Sequence, residues 1–83
     1  MAITEPALDI GVANMDRQSV SSSNIASVGY NPDSETLEIE FLNGRVYEYY
    51  NVPHFMHERL MEASSVGIFF NAEIKNSYAC NPV

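Results

Sequence analysis

The stretch from Thr36 to Asn51, TLEIEFLNGRVYEYYN, constrains the fold more than any other part of the chain. Leu37, Ile39 and Phe41 alternate with Glu38 and Glu40, the period-two signature of an antiparallel strand with one apolar and one wet, acidic face. Asn43-Gly44 follows as a hairpin signal. Two registers satisfy it. A two-residue loop pairs Glu40 with Tyr47 and Glu38 with Tyr49, which sets both tyrosines on the outer face. A three-residue loop, Leu42-Asn43-Gly44 with Gly44 left-handed, pairs Ile39 with Tyr47 and Leu37 with Tyr49, which turns both rings into the core. A slip of one residue exchanges the faces of the whole strand. The second register is favoured, because it keeps Glu48 on the acidic face and gives a small core its aromatic area. It sets Glu48 opposite Glu38, a like-charge cost of a few tenths to about 1 kcal/mol. Burying a large apolar side chain is worth roughly 1.5–3 kcal/mol, so the tyrosines decide the register.

With 83 residues the chain holds one domain and a modest core. Ser19 to Ser23 reads as extended or irregular, and Ile25 to Tyr30 (IASVGY) as a first strand. Asn31-Pro32-Asp33-Ser34 is a turn, since proline fixes φ and the Asn and Asp side chains bond nearby backbone. Val52-Pro53 ends the hairpin and opens a helix, where proline's missing N–H is no loss. Met56, Leu60 and Ala63 form its inner face with Phe55 beside it, while His54, His57, Glu58 and Glu62 point away. Ser64-Ser65 ends that helix and can cap the next. Phe70, Ile74 and Tyr78 then recur every four residues, with Gly67 and Asn71 as bends or caps. Residues 79–83 are expected to fray as a C-terminal tail. The pattern predicts an α+β fold: a three-stranded antiparallel meander followed by two short helices packed on one sheet face. The domain spans residues 15–78. Residues 1–14 form an extension, read either as a short helix capped by Thr4 with Leu8, Val12 and Met15 on one face, or as a tail.

Charge narrows the function classes. Four basic residues against eleven acidic ones give a net charge of −7. Nucleic-acid binding ordinarily leaves a cluster of Lys and Arg, whereas Arg17, Arg45, Arg59 and Lys75 are isolated along the chain. RNA is therefore disfavoured as a partner, and a basic protein partner or plain solubility fits the field better. The lone Cys80 permits no disulfide within the chain. No apolar run is long enough to span a membrane, and no signal peptide is recognisable, so the expectation is a cytoplasmic protein without membrane contact.

Certain residues recur in a recognisable order. They are Met15-x-Arg17, Ser22-Ser23-x-Ile25, Gly29-Tyr30 and Leu37-x-Ile39-x-Phe41, followed by Gly44, Tyr47-x-Tyr49 and Val52-Pro53. Ala63-Ser64, Gly67-x-Phe69-Phe70-Asn71, Ile74-Lys75 and Tyr78 complete the series. This order resembles the KTSC domain, a module of about sixty residues, the size of a small single domain. Such modules occur alone in bacterial and phage proteins and at the C-terminus of some lysyl-tRNA synthetases. The resemblance implies a small module suspected of binding RNA, an association at the level of the fold and not of a site. Beyond Ile74-Lys75 this chain runs Asn76-Ser77-Tyr78-Ala79-Cys80-Asn81, without further basic residues.

Four groups of side chains invite a functional reading. Tyr30, Tyr47, Tyr49 and Tyr50 could stack nucleobases, but the favoured register assigns Tyr47 and Tyr49 to packing and leaves Tyr50 as the exposed ring. His54, His57 and Glu58 share a helix start, yet with no other histidine the chain falls short of the three or four ligands a metal needs, and they read as surface residues. Ser64-Ser65-Val66-Gly67 lacks both the phosphate-loop and the nucleophile-elbow patterns and reads as a helix cap. Glu38, Glu40 and Glu48 lie on an open strand face without the cleft that separates the pKa values of a catalytic pair. They read as a solvated face or an acidic docking patch.

No motif calls for a catalytic residue, metal or cofactor. The expectation is a non-enzymatic interaction module that meets a protein partner, such as a nucleic-acid-handling one, through Glu38, Glu40 and Glu48. The alternative is RNA or tRNA binding through Tyr50, Lys75 and Arg45. An exposed strand edge also allows a homodimer by strand pairing. The two readings of the extension part on one measurement. A docked helix predicts that deleting residues 1–14 lowers Tm or dissociates a dimer, and a tail predicts unchanged Tm and mass.

Overall fold

The computed structural model describes residues 16–83. The helix-or-tail reading of residues 1–14 therefore lies outside the described residues. Among the described residues the fold is α+β, with an antiparallel sheet of five strands: β1 (Arg17–Ser19), β2 (Ile25–Asn31), β3 (Thr36–Phe41), β4 (Val46–Tyr49) and β5 (Cys80–Pro82). They lie in the order β1-β2-β3-β4-β5. Between β4 and β5 the chain forms α1 (His54–Glu62) and α2 (Val66–Phe69), the latter running directly into a π-helical turn, Phe70–Ile74.

The hairpin adopts the three-residue loop. Leu37 stands opposite Tyr49, Ile39 opposite Tyr47 and Glu38 opposite Glu48. Gly44 takes φ of 91°, a left-handed value that glycine reaches without a Cβ penalty. Phe41 and Arg45 close the loop through a 2.8 Å backbone hydrogen bond. The inner face buries Val28, Leu37, Ile39 and Tyr49 together with Ile25. Leu60 of α1, Val66 of α2, Phe70 and Ile74 of the π turn, and Val52 cover them.

The three-strand expectation is corrected at both sheet edges. The stretch before Ile25 includes β1, which pairs Arg17 with Gly29 and Ser19 with Ser27. The C-terminal residues do not fray. Cys80 pairs with Tyr49 and Pro82 with Tyr47, and Val83 N–H donates to Val46 O at 2.9 Å. Strands this short carry too little periodicity to show in sequence, and β5 is held by partners some thirty residues away along the chain.

The helices depart from expectation in two places. Phe55 is 57% exposed, so α1 packs through Leu60 and the half-buried Met56. Gly67 is neither a bend nor a cap. It is buried inside α2, where a Cβ would come within 2.6 Å of Asn24 Oδ1, so glycine lets the helix lie against the β1–β2 loop. Ser65 does cap α2, its hydroxyl accepting from Ile68 N–H at 3.3 Å. The π turn is closed by Lys75 N–H donating to Phe70 O at 2.9 Å, the wider i→i+5 bond.

Deleting residues 80–83 removes β5 and its hydrogen bonds to β4. The urea midpoint is expected to fall by the equivalent of about 1–2 kcal/mol, from roughly 0.5–1.5 kcal/mol net per hydrogen bond. The near-UV tyrosine dichroism should change with it. An unchanged midpoint would show that β5 contributes nothing to stability.

Candidate functional site

A concave feature lies on the helical side of the sheet, where β4 and β5 meet the π turn. It encloses about 430 Å³ and is lined by Asn24, Phe41, Tyr47, Tyr49, Phe70, Asn71, Lys75, Asn76 and Cys80. Four parts of the chain build it. The hairpin register sends Tyr47 and Phe41 to this face, where their rings meet edge-on at 6.0 Å. Phe70 anchors the floor, edge-on to Phe41 at 5.8 Å and to Tyr49 at 5.3 Å. The π turn and the residue after Lys75 supply Asn71, Lys75 and Asn76, all exposed. The strand β5 brings Cys80 to the rim beside Tyr49, whose hydroxyl is pushed up to about 12 by burial and, secondarily, by Cys80.

Asn24 enters from the β1–β2 loop. Its Oδ1 accepts a hydrogen bond from the Ser22 hydroxyl at 3.0 Å, and Ser22 Oγ also accepts from the backbone N–H of Ile25 at 3.2 Å. The Asn24 side chain is thus fixed in place, with its amide nitrogen left as a donor. Among the described residues that line the pocket, none is a carboxylate or an imidazole, and Lys75 is the single charge. In a chain of net charge −7 this lining is a departure from the average composition. The arrangement offers ring surface, several amides that each donate and accept, and one cation.

The outer sheet face is different in kind. Glu38 is only 5% exposed, a correction to the wet face expected for it. Its strand neighbour Gly29 has no side chain, so Arg17 of β1 reaches across to Glu38 Oε2 at 3.4 Å. Burial raises the Glu38 carboxyl above its usual range, Arg17 opposes the shift, and Glu48 and Glu40 add to it. Its Oε1 has no hydrogen-bond partner among the described residues. Glu40 accepts from Ser27 at 2.7 Å, and Glu48 accepts from the Tyr50 hydroxyl at 3.2 Å. Tyr50 is half-buried, not the open ring expected from its position. Arg45 is exposed at the end of the hairpin loop, and Lys75 lies in the pocket on the other side. The structure therefore separates Lys75 from Glu38, Glu40, Glu48 and Tyr50.

Two further expectations concern the histidines and Tyr30. Tyr30 stacks on His57 at 4.6 Å with rings 7° from parallel, and its hydroxyl donates to Val52 O at 2.6 Å. His57 is accordingly half-buried and not a surface residue, and its Nδ1 has no hydrogen-bond partner among the described residues. His54 pairs with Glu58 at 3.8 Å. Among the described residues no group of three or more His, Cys, Asp or Glu converges as a metal site. Asn24, Asn71 and Asn76 carry no functional signal along the chain, because isolated asparagines read as turn or cap residues until the fold gathers them.

A model of the KTSC domain matches residues 21–78 of this chain. An uncharacterized protein of Stutzerimonas stutzeri is 41% identical over 61 residues, covering 74% of this chain and 86% of that protein. A lysine–tRNA ligase of a Nostoc species is 39% identical over 56 residues, which cover 68% of this chain and only 10% of the ligase. The crystal structure of a KTSC domain protein from Yersinia pestis superposes with a TM-score of 0.79 at 45% identity, over 84% of this chain and 99% of that one.

The stacked histidine yields a pH prediction. Burial lowers the His57 pKa below the usual 6.5, His54 lowers it further, and Glu58 opposes the shift. The folded state disfavours the charged ring, so the contribution of His57 is complete above pH 6.5 and lost as pH falls through the depressed folded value. His57→Phe keeps a ring against Tyr30 and should flatten the acid limb of a Tm-versus-pH curve below pH 6.5. An identical acid limb in the variant would assign the loss of stability to other groups.

Proposed function

The chain belongs to the KTSC domain family, and from that premise we propose that it is a non-catalytic recognition module that takes a planar, anionic group of its partner into the Tyr47–Lys75 pocket. The observation that carries this reading is the pocket's composition: ring surface, amides and one cation, with no carboxylate among the described lining residues. A small-molecule site is commonly a concavity of about 300–1,000 Å³ with apolar walls and a few convergent polar groups, and this one has about 430 Å³.

A second reading rests on the outer face. Glu40 and Glu48 are half-exposed and oriented by Ser27 and Tyr50, and in a chain of net charge −7 they support docking of a basic protein. Arg17 already offsets Glu38 there, which weakens that patch relative to the pocket.

Cys80, the only cysteine, is exposed and lies on the pocket wall, so its alkylation rate reports occupancy. Titrating the protein with indole-2-carboxylate should slow alkylation of Cys80 and shift the amide resonances of Asn24, Asn71, Lys75 and Asn76. Lys75→Ala should weaken binding about tenfold, near the low end of a charge-assisted hydrogen bond. Shifts confined to Glu40, Glu48 and Tyr50 on titration with polylysine, with none in the pocket, would favour the outer face and overturn the pocket reading.

A further inference from the structure

We infer that the planar anion is a nucleotide: a nucleobase held against Tyr47 and Phe41, with a single phosphate on Lys75. This deepens the pocket reading above and rests on it. The case is made by what each wall of the pocket would leave unsatisfied with any other occupant.

The polar wall comes first. Asn24, Asn71 and Asn76 line the same concavity as the aromatic floor. Each side-chain amide presents two N–H donors and a carbonyl acceptor. Asn24 Oδ1 is already engaged by Ser22, which leaves its donors free. An aliphatic chain or a phenyl ring would cover these groups without pairing them, which leaves a desolvation cost at each. A heterocycle whose edge alternates donors and acceptors pairs with them, as asparagine does with adenine. Beneath them, the half-buried rings of Phe41 and Tyr47 supply the apolar surface on which a base can stack.

Charge then sets the number of phosphates. Lys75 is the single cation among the described lining residues. A triphosphate brings several negative charges against that one, within a chain of net charge −7. A single phosphate monoester carries about −1.5 to −2 at pH 7, the smallest excess over one ammonium, so the occupant is a monophosphate. The volume of about 430 Å³ likewise suits one nucleotide unit. The surrounding acidic field repels a long backbone while leaving the local contact intact, because exposed charges more than about 8–10 Å away are screened at physiological salt.

The same chemistry is available from a free mononucleotide or from an unpaired residue of a single RNA strand, and measurement separates them. Isothermal titration of the full chain with AMP, adenosine and ribose 5-phosphate tests the assignment directly. AMP is expected to bind at least tenfold more tightly than either fragment. Lys75→Ala should erase the advantage of AMP over adenosine, and a paired Asn71→Ala, Asn76→Ala variant the advantage over ribose 5-phosphate. All three residues are exposed, so unchanged Tm verifies that the variants are folded. A single-stranded tetranucleotide that binds more tightly than AMP, with a log–log salt slope of about −0.7 for one phosphate contact, identifies a strand as the source. Equal affinity for AMP and the tetranucleotide identifies the free nucleotide. Ribose 5-phosphate or indole-2-carboxylate binding as tightly as AMP would overturn the nucleotide while leaving the pocket reading intact. Failure of all of these ligands to slow Cys80 alkylation would overturn both.

Discussion

The structure depends on one backbone choice, the left-handed Gly44 that makes the β3–β4 loop three residues long. That loop sends Leu37, Ile39, Phe41, Tyr47 and Tyr49 to one side and Glu38, Glu40 and Glu48 to the other. A two-residue loop would exchange the faces of β4 and leave the core without its tyrosines. Everything packed on the inner side follows. Phe70 has rings to meet, Ile74 and Leu60 have a floor, and the pocket has its aromatic base. The accompanying cost is the opposition of Glu38 and Glu48, and the fold relieves it locally with Arg17 on one carboxylate and the Tyr50 hydroxyl on the other.

The central hairpin and the α+β class were legible because they rest on local signals: alternation, a glycine in a turn, a proline at a helix start. The sheet edges were not, because β1 and β5 are short strands whose pairing partners are the only reason they are strands at all. The exposure of Glu38 was misjudged for a related reason. Period two tells which face a residue occupies, but burial on that face depends on β1, which adds Arg17 beside a glycine. His57 was assigned to the surface on helical periodicity, and only the placement of Tyr30 opposite it makes that position a stacking site. Of the pocket, Tyr47 and Lys75 were noticed as residues, but nothing along the chain links Asn24 to Asn71 and Asn76. Their meeting is a product of topology, with Gly67 admitting α2 close to the Asn24 loop.

The two sides of the sheet divide the electrostatic labour. The outer face gathers carboxylates and pairs them among themselves through Arg17, Ser27 and Tyr50, so much of its hydrogen-bonding capacity is used internally. The inner side keeps Lys75 apart from them, in a recess with neutral donors and acceptors. In a chain of net charge −7 the recess is thus set apart from the carboxylates that carry much of that charge.

The strand order has a consequence for how such a unit joins a larger polypeptide. Among the described residues, the chain enters the sheet at β1 and leaves it at β5, and these are opposite edges. Four inter-strand steps of about 4.8 Å put the two edges roughly 19 Å apart, with the sheet as a spacer between them. Pro82 in β5 and the brevity of both outer strands discourage either flank from pairing with a neighbour's sheet. The recess lies beside β5, the edge at which the chain leaves the sheet.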